Sequence, residues 1–359
     1  MKKILLTMIG FNPASALVSA RAIKPYRTVL IHTPETKSIA EIVRKQIGEP
    51  CRLISLHGEK GILHVIETLA SELRIQDDEW PVVDITGATK PIALGLWQYL
   101  LTYFNDRFDA VNVSQSDYRL KDALTWELMT DEPVRIMVRE ILAWHGGQVQ
   151  RVKWESQLNL IPNSFKLGKT LSMGLVKALA SNEYRNLTPD QGRNAVSVPQ
   201  KYLPEQLPVG FSYDTGKLFS TIADYLQKNI WLEEFCLCMA ADALEDVSLE
   251  VLASMGMDLI ASGSGGGIDE LDVVLVRGSK TVVIEAKARA SNAGAGPDLQ
   301  KRIQKVNRFF GPHAKIIMVH PAWGKKPPKA LVNLTGKSAE LVGADMDHFK
   351  NAVRKGLGL

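Results

Sequence analysis

The sequence predicts an α/β protein in two parts: an N-terminal doubly wound parallel sheet and a C-terminal α/β domain. Three observations predict it. Short apolar runs alternate with helical patterns from the first residues to Val113, the rhythm of a parallel sheet with crossover helices. Two further strand-like runs flank Gly278-Ser279, a two-residue loop with glycine at its first position, as type II′ hairpin turns prefer. At 359 residues the chain is long enough for two or three domains.

Taken in order, Lys3–Ile9, Thr28–His32, Arg52–Leu56, Pro81–Ile85 and Asp109–Val113 read as buried strands. Helical patterns at Ala14–Ile23, Ile39–Gln46, Ile62–Leu73 and Pro91–Phe104 separate them. Asp131–His145 reads as a helix closed by Gly146-Gly147, a signal for a domain boundary. The expected domains are therefore 1–147, a connecting region 148–228 that is irregular between Leu160 and Pro208, and 229–359. In the last of these, Leu232, Phe235, Met239 and Ala243 share a helix face; the hairpin, a helix from Pro297 to Phe310 and a strand at Lys315–His320 follow.

Composition narrows the function classes. Cys51, Cys236 and Cys238 make no disulfide framework, and the Cys-x-Cys pair sits in a helical pattern without metal-ligand spacing. No apolar run reaches membrane-spanning length, and Asn12-Pro13 interrupts the faint leader-like start at Met1-Lys2-Lys3, so a cytoplasmic enzyme is expected. Charge is unevenly placed: residues 288–359 hold 13 Lys and Arg against 4 Asp and Glu, the remainder 30 against 35. Such asymmetry suits a nucleic-acid substrate, whose phosphates supply most non-specific affinity. Lys301, Arg302, Lys305 and Arg308 fall on one helix, the expected nucleic-acid contact; Lys325, Lys326 and Lys329 follow the next strand. The plain alternative is a solvated basic face.

The hairpin carries the chemistry. If Arg277 faces Lys280, counting back sets Asp272 opposite Glu285 and Glu270 opposite Lys287, all on one face, with Leu271, Val273, Leu275, Val282, Ile284 and Ala286 on the core face. Opposed carboxylates repel, and a hard divalent cation, Mg²⁺ or Mn²⁺, removes the conflict. Lys287 then lies where it can orient water or stabilise a phosphoryl oxygen: the layout of phosphodiester hydrolysis. Glu233 or Glu234 could add a ligand from the preceding helix, and Gly263, Gly265, Gly266 and Gly267 give the entering loop backbone freedom. The competing reading is an edge hairpin with charges alternating for solubility.

At the N-terminal end, ligands of doubly wound sheets bind beyond the carboxyl ends of the strands. Thr7-Met8-Ile9-Gly10-Phe11-Asn12-Pro13 leads a strand into a helix start, where Asn12 can cap and Pro13 suits the first position; such starts attract phosphate. Thr86-Gly87-Ala88-Thr89-Lys90-Pro91 does the same with hydroxyls and a cation. Neither Gly-x-Gly-x-x-Gly nor the phosphate-loop pattern occurs, which disfavours a dinucleotide or ATP.

Two resemblances follow. Glu270-Leu271-Asp272, then Ile284-Glu285-Ala286-Lys287, with Trp231-Leu232-Glu233 upstream, resembles the PD-(D/E)xK nuclease superfamily, although Leu271 stands where that motif has proline. The resemblance assigns Asp272, Glu285 and Ala286 to the metal, Lys287 to catalysis, Glu233 to a supporting acid and Glu270 to an extra one. Ile9-Gly10-Phe11-Asn12-Pro13, His32-Thr33-Pro34-Glu35-Thr36 and Thr86-Gly87-Ala88-Thr89-Lys90 resemble the Rossmann-like CRISPR-associated sensor (CARF) domain, with Ala88 in place of the second glycine of its Gly-Gly-Thr-Lys motif. This implies effector contacts at Met8, Ile9, Gly10, Phe11, Asn12, Pro13, Thr33, Thr36, Gly87, Ala88, Thr89 and Lys90. Together they resemble type III CRISPR ancillary nucleases and imply a homodimer holding one cyclic tetra-adenylate and cutting DNA or RNA with Mn²⁺ or Mg²⁺. The rival expectations are a restriction-type endonuclease with no nucleotide control and a nucleotide-sensing module whose nuclease is inactive.

Overall fold

In a computed structural model the chain divides into two compact units, Met1–Trp144 and His145–Leu359. The structure describes residues 1–151, 154–157, 230–246, 252–261, 268–287, 295–323 and 338–359, apart from 11, 49, 106, 116–117, 132 and 312, with 169, 173, 176, 177, 329, 331 and 332 besides.

The first unit is the doubly wound sheet. Strands β1 (Lys2–Ile9), β2 (Arg27–His32), β3 (Cys51–Ser55), β4 (Glu79–Asp84) and β5 (Asp109–Val113) lie in the order β3-β2-β1-β4-β5 and run parallel. Helices α1 (Ala14–Ile23), α2 (Lys37–Ile47), α3 (Ile62–Glu72) and α4 (Lys90–Phe104) provide the crossovers. Being covered on both faces, the inner strands read as unbroken apolar runs, and Ile4, Leu5 and Leu6 are wholly buried. A short strand, β6 (Leu120–Asp122), adds antiparallel to β5; three residues carry no periodic signal, and the sequence did not reveal it. The helix expected over Asp131–His145 is shorter, α5 (Val138–Trp144). At its start the Arg21 guanidinium donates to the Arg135 carbonyl and to the Glu140 carboxylate, and the Met137 N–H donates to Glu140 Oε2, capping α5 where it begins.

The second unit holds a sheet ordered β13-β12-β11-β10-β9-β7, with β8 also paired to β9. Its strands are β7 (Gly147–Arg151), β8 (Trp154–Gln157), β9 (Leu252–Ala261), β10 (Ile268–Arg277), β11 (Lys280–Ala286), β12 (Lys315–Val319) and β13 (Ala339–Val342). β9, β10 and β11 are antiparallel neighbours; β11, β12 and β13 are parallel. Thus β7 and β8, within the segment expected to connect two domains, are built into this sheet. Helices α6 (Ile230–Ala243) and α8 (Met346–Gly356) cover one face, where Trp231, Phe235, Phe349 and Val353 pack on Val273, Leu275, Val282, Ile284 and Ile317. Helix α7 (Ala295–Phe310) covers the other, with Leu299 against Met318, Trp323 and Leu341.

Candidate active site

The hairpin turn sets the geometry. Gly278 takes φ 53° while Ser279 stays out of the left-handed region, the type II′ arrangement. Pairing runs from Arg277–Lys280 to Val273–Ile284 in the expected register and stops there. The expected continuation to Asp272–Glu285 and Glu270–Lys287 is therefore not a set of ladder pairs. A regular ladder would send the Ala286 N–H to the Leu271 carbonyl; it donates instead to Asp272 Oδ2 at 2.7 Å. The Lys287 N–H donates to the Val319 carbonyl at 2.8 Å, the regular bond of the parallel Ala286–Val319 pair. The Asp272 carboxylate thus replaces a backbone acceptor where the β10–β11 ladder ends.

Alternation still places Asp272 and Glu285 on the face opposite Val273 and Ile284, the face that α7 covers. Glu285 is 0% exposed and Asp272 8%. Burial pushes the Glu285 carboxyl up to about 8, the charge of Asp272 adding to the rise, while Arg302, Lys287 and Lys305 oppose it. Burial likewise raises Asp272, against Lys287, the Ala286 N–H and Arg302. Lys287 Nζ is 3.7 Å from Glu285 Oε2. Glu270 is exposed; its contribution is its backbone carbonyl, which accepts from Arg302 Nη1 at 2.9 Å and Lys305 Nζ at 2.7 Å.

Arg302 and Lys305 therefore face the acids, whereas Lys301 and Arg308, the other two residues expected to meet nucleic acid, are exposed. Arg302 Nη1 lies 3.2 Å from Glu285 Oε1 and 3.1 Å from Oε2, but only the first contact has hydrogen-bond alignment. Glu285 Oε2 is a buried oxygen with no hydrogen bond.

On α6, Glu233 and Glu234 are both buried. The Cys236 thiol on the same helix is pushed well up by burial first, then by the charges of Asp272 and Glu233. His320 was missed by sequence reasoning. It follows β12 as Lys287 follows β11, beyond the Ala286–Val319 pair, and so extends the acid-bearing face. Its ring stacks on Trp323 at 4.6 Å and 8°, its Nδ1 is buried without a hydrogen bond, and burial, with Lys287 adding, lowers it to about 4. Face parity on Lys315–His320 would have found it.

Among the described residues no group of three or more His, Cys, Asp or Glu is placed to hold a metal. Two carboxylates and the Ala286 carbonyl are nevertheless hard oxygen donors, and a buried carboxylate oxygen that has ion-pair partners but no hydrogen bond, beside a second acid, is one a divalent cation would take up. The expected glycine loop 263–267 and Lys325 and Lys326 lie outside the described residues.

In the first unit, the loops after β1 and β4 flank the point where strand order reverses. A Cβ on Gly87 would stand 2.6 Å from the Met8 carbonyl oxygen, and one on Gly10 3.1 Å from the Gly87 oxygen; the two loops touch through backbone. Met8 and Ile9 bury their side chains, so only their backbone faces this point. Asn12 Oδ1 accepts from the Ala14 N–H at 3.3 Å and Pro13 occupies the N-cap, one position earlier than expected. Thr33 and Thr36 form a reciprocal capping box around a short turn, and Thr36 is buried. Ala88 is half-buried; Thr89 and Lys90 are exposed at the start of α4. Phe11 lies outside the described residues. Beneath, Asp84 accepts from Thr7 Oγ1 (2.9 Å), Ser19 Oγ (3.0 Å) and the Thr86 N–H (2.9 Å), and Thr86 Oγ1 reaches Asn112, so one carboxylate ties β1, α1 and the β4 loop.

Solved structures share this arrangement, a Rossmann-like sheet followed by a mixed sheet, over nearly the full length. One is protein VC1899 from Vibrio cholerae, 14% identical over 99% of this chain and 97% of that one, TM-score 0.69. Another is Can2 from Sulfobacillus thermosulfidooxidans in complex with cyclic tetra-adenylate, 14% identical over 99% and 96%, TM-score 0.63. A type III CRISPR defence DNA nuclease activated by cyclic oligoadenylate is 16% identical over 96% of this chain and 48% of its own, TM-score 0.58. No protein-family model and no curated protein sequence matches the chain. Among the described residues no helix is long and apolar enough to cross a membrane.

Proposed function

We propose that this chain is a divalent-metal-dependent nuclease whose activity is switched on by a cyclic oligoadenylate, cyclic tetra-adenylate being the first choice, in type III CRISPR defence. The observation that carries the reading is the pair of buried carboxylates, Asp272 and Glu285, on one face with Lys287 and Arg302. Asp272, Glu285 and the Ala286 carbonyl would hold Mn²⁺ or Mg²⁺, which when bound supplies Lewis acidity at a phosphate oxygen. Lys287, 3.7 Å from Glu285, would orient the attacking water or steady charge on the phosphoryl group. Glu233 would support Asp272 from α6, and exposed Lys301 and Arg308 would meet the nucleic-acid backbone. At the other end, the backbone of Gly10 and Gly87 with Asn12, Thr89 and Lys90 would meet the phosphates of the effector, and a two-fold ring fits a homodimer with paired sites. Domain roles follow: sensing in 1–147, cleavage in 229–359.

The test is cleavage of DNA and RNA with Mn²⁺ or Mg²⁺, with and without cyclic tetra-adenylate, beside Glu285→Ala. Cleavage in the presence of the activator alone, lost in Glu285→Ala, is expected. Equal cleavage in both arms removes the sensor, and cleavage that survives Glu285→Ala removes the site assignment.

A further inference from the structure

Three positive side chains, Lys287, Arg302 and Lys305, stand at the acid site, and Arg302 is tethered there. Arg302 Nη1 is 3.2 and 3.1 Å from the two oxygens of Glu285. The same nitrogen donates to the Glu270 carbonyl at 2.9 Å, and Lys305 Nζ shares that carbonyl at 2.7 Å. A guanidinium held by a backbone acceptor and a buried carboxylate is not a mobile surface cation.

Sites that use two ions set them about 3.5–4 Å apart around shared carboxylates and clamp both the attacking and the leaving oxygen. Here the described residues bring together only two carboxylates, Asp272 and Glu285, and one side of Glu285 is already covered by a fixed positive charge. Resting on the reading of these acids as a metal site, we propose that the site takes one divalent ion per chain and that Arg302 stands in for the second, meeting a non-bridging oxygen of the scissile phosphate. Arg302 is thus a catalytic residue, and the helix face expected to supply only backbone affinity supplies part of the chemistry. Lys305 holds the Glu270 carbonyl and keeps β10 in place beneath it.

The test is Mn²⁺ titration of the full-length protein by calorimetry and electron paramagnetic resonance, with turnover of Arg302→Gln and Arg302→Lys measured alongside. The expected result is one Mn²⁺ per chain with a mononuclear spectrum. Arg302→Gln should bind that ion still and lose on the order of 10²-fold or more in kcat, as removal of a single oxyanion donor does, with a smaller change in KM. Arg302→Lys, which keeps the charge and loses the fork, should recover part of the rate. Two exchange-coupled Mn²⁺ per wild-type chain, or an unchanged kcat in Arg302→Gln, overturns the proposal while leaving the nuclease reading intact. Absence of any Mn²⁺ binding sinks the metal-site reading on which it rests, and the proposal with it.

Discussion

Glu285 gives the metal-free protein a distinctive pH response. Its folded carboxyl titrates at about 8, against about 4.3 in an unfolded chain. Between those values the folded state holds a proton the unfolded state has released, so stability falls as pH rises. The groups facing it are Asp272, which raises it, and Arg302, Lys287 and Lys305, which lower it. Melting temperature without metal should fall from pH 5 to pH 8, and Glu285→Gln should flatten that slope; a wild-type slope no steeper than the variant's would refute it. Added Mn²⁺ should raise the melting temperature most at the alkaline end, because the ion binds the deprotonated acid. Gly87→Ala meets the Met8 carbonyl at 2.6 Å, an overpacking that typically costs about 1–3 kcal/mol; thermal melts and effector calorimetry should show lower stability and weaker effector binding. The shared face of Asp272 and Glu285 was legible in the sequence because strand alternation assigns faces. The Arg302 contact was not: helical spacing groups residues on a face without saying what that face meets.

Helix–helix fit in the first unit depends on one small residue. A Cβ on Gly95 of α4 would lie 2.6 Å from Val65 Cγ1 of α3, so the axes approach as closely as they do only because Gly95 lacks a side chain. Gly95→Ala should lower the melting temperature, and Val65→Ala in the same chain should recover part of the loss; additivity of the two in a double-mutant cycle would contradict the contact. Elements of this kind were the most legible. The bounds of α1 and of β5 were expected as observed, since each is framed by Pro, Gly or a clear apolar run. Strand β9 was not foreseen, for Leu252–Ala261 mixes Ser, Met and Gly without alternation. Strands β7 and β8 were hidden because a sheet recruits distant segments by pairing, which leaves little local trace.

At the scale of the whole molecule, each unit has described core residues of its own. The first draws Ile4, Leu6, Val29, Ile54, Val83 and Leu96 entirely from its own strands and helices. Residues 1–144 expressed alone should unfold cooperatively and bind the effector, and chelation with EDTA should leave that melt unchanged while shifting the melt of the full chain. A fragment that binds hydrophobic dye and melts without a transition would contradict the division. The order of parts was legible from the βα rhythm and the hairpin, but the place where the second sheet begins was not, because its edge strands precede the residues that announce its chemistry.

The bond from Ala286 N–H to Asp272 Oδ2 has a consequence for how this site tolerates change. One oxygen of Asp272 closes the hairpin and the other is left without a protein hydrogen bond among the described residues. Asn at that position can keep the closure only by turning its NH₂ toward the place of the cation, and Glu is one methylene too long for the strand bond. Under the proposed function, architecture and reactivity are fused in a single side chain, so inherited variation at residue 272 would not yield a well-folded but merely slower protein: it would lose either shape or reactivity at the first step.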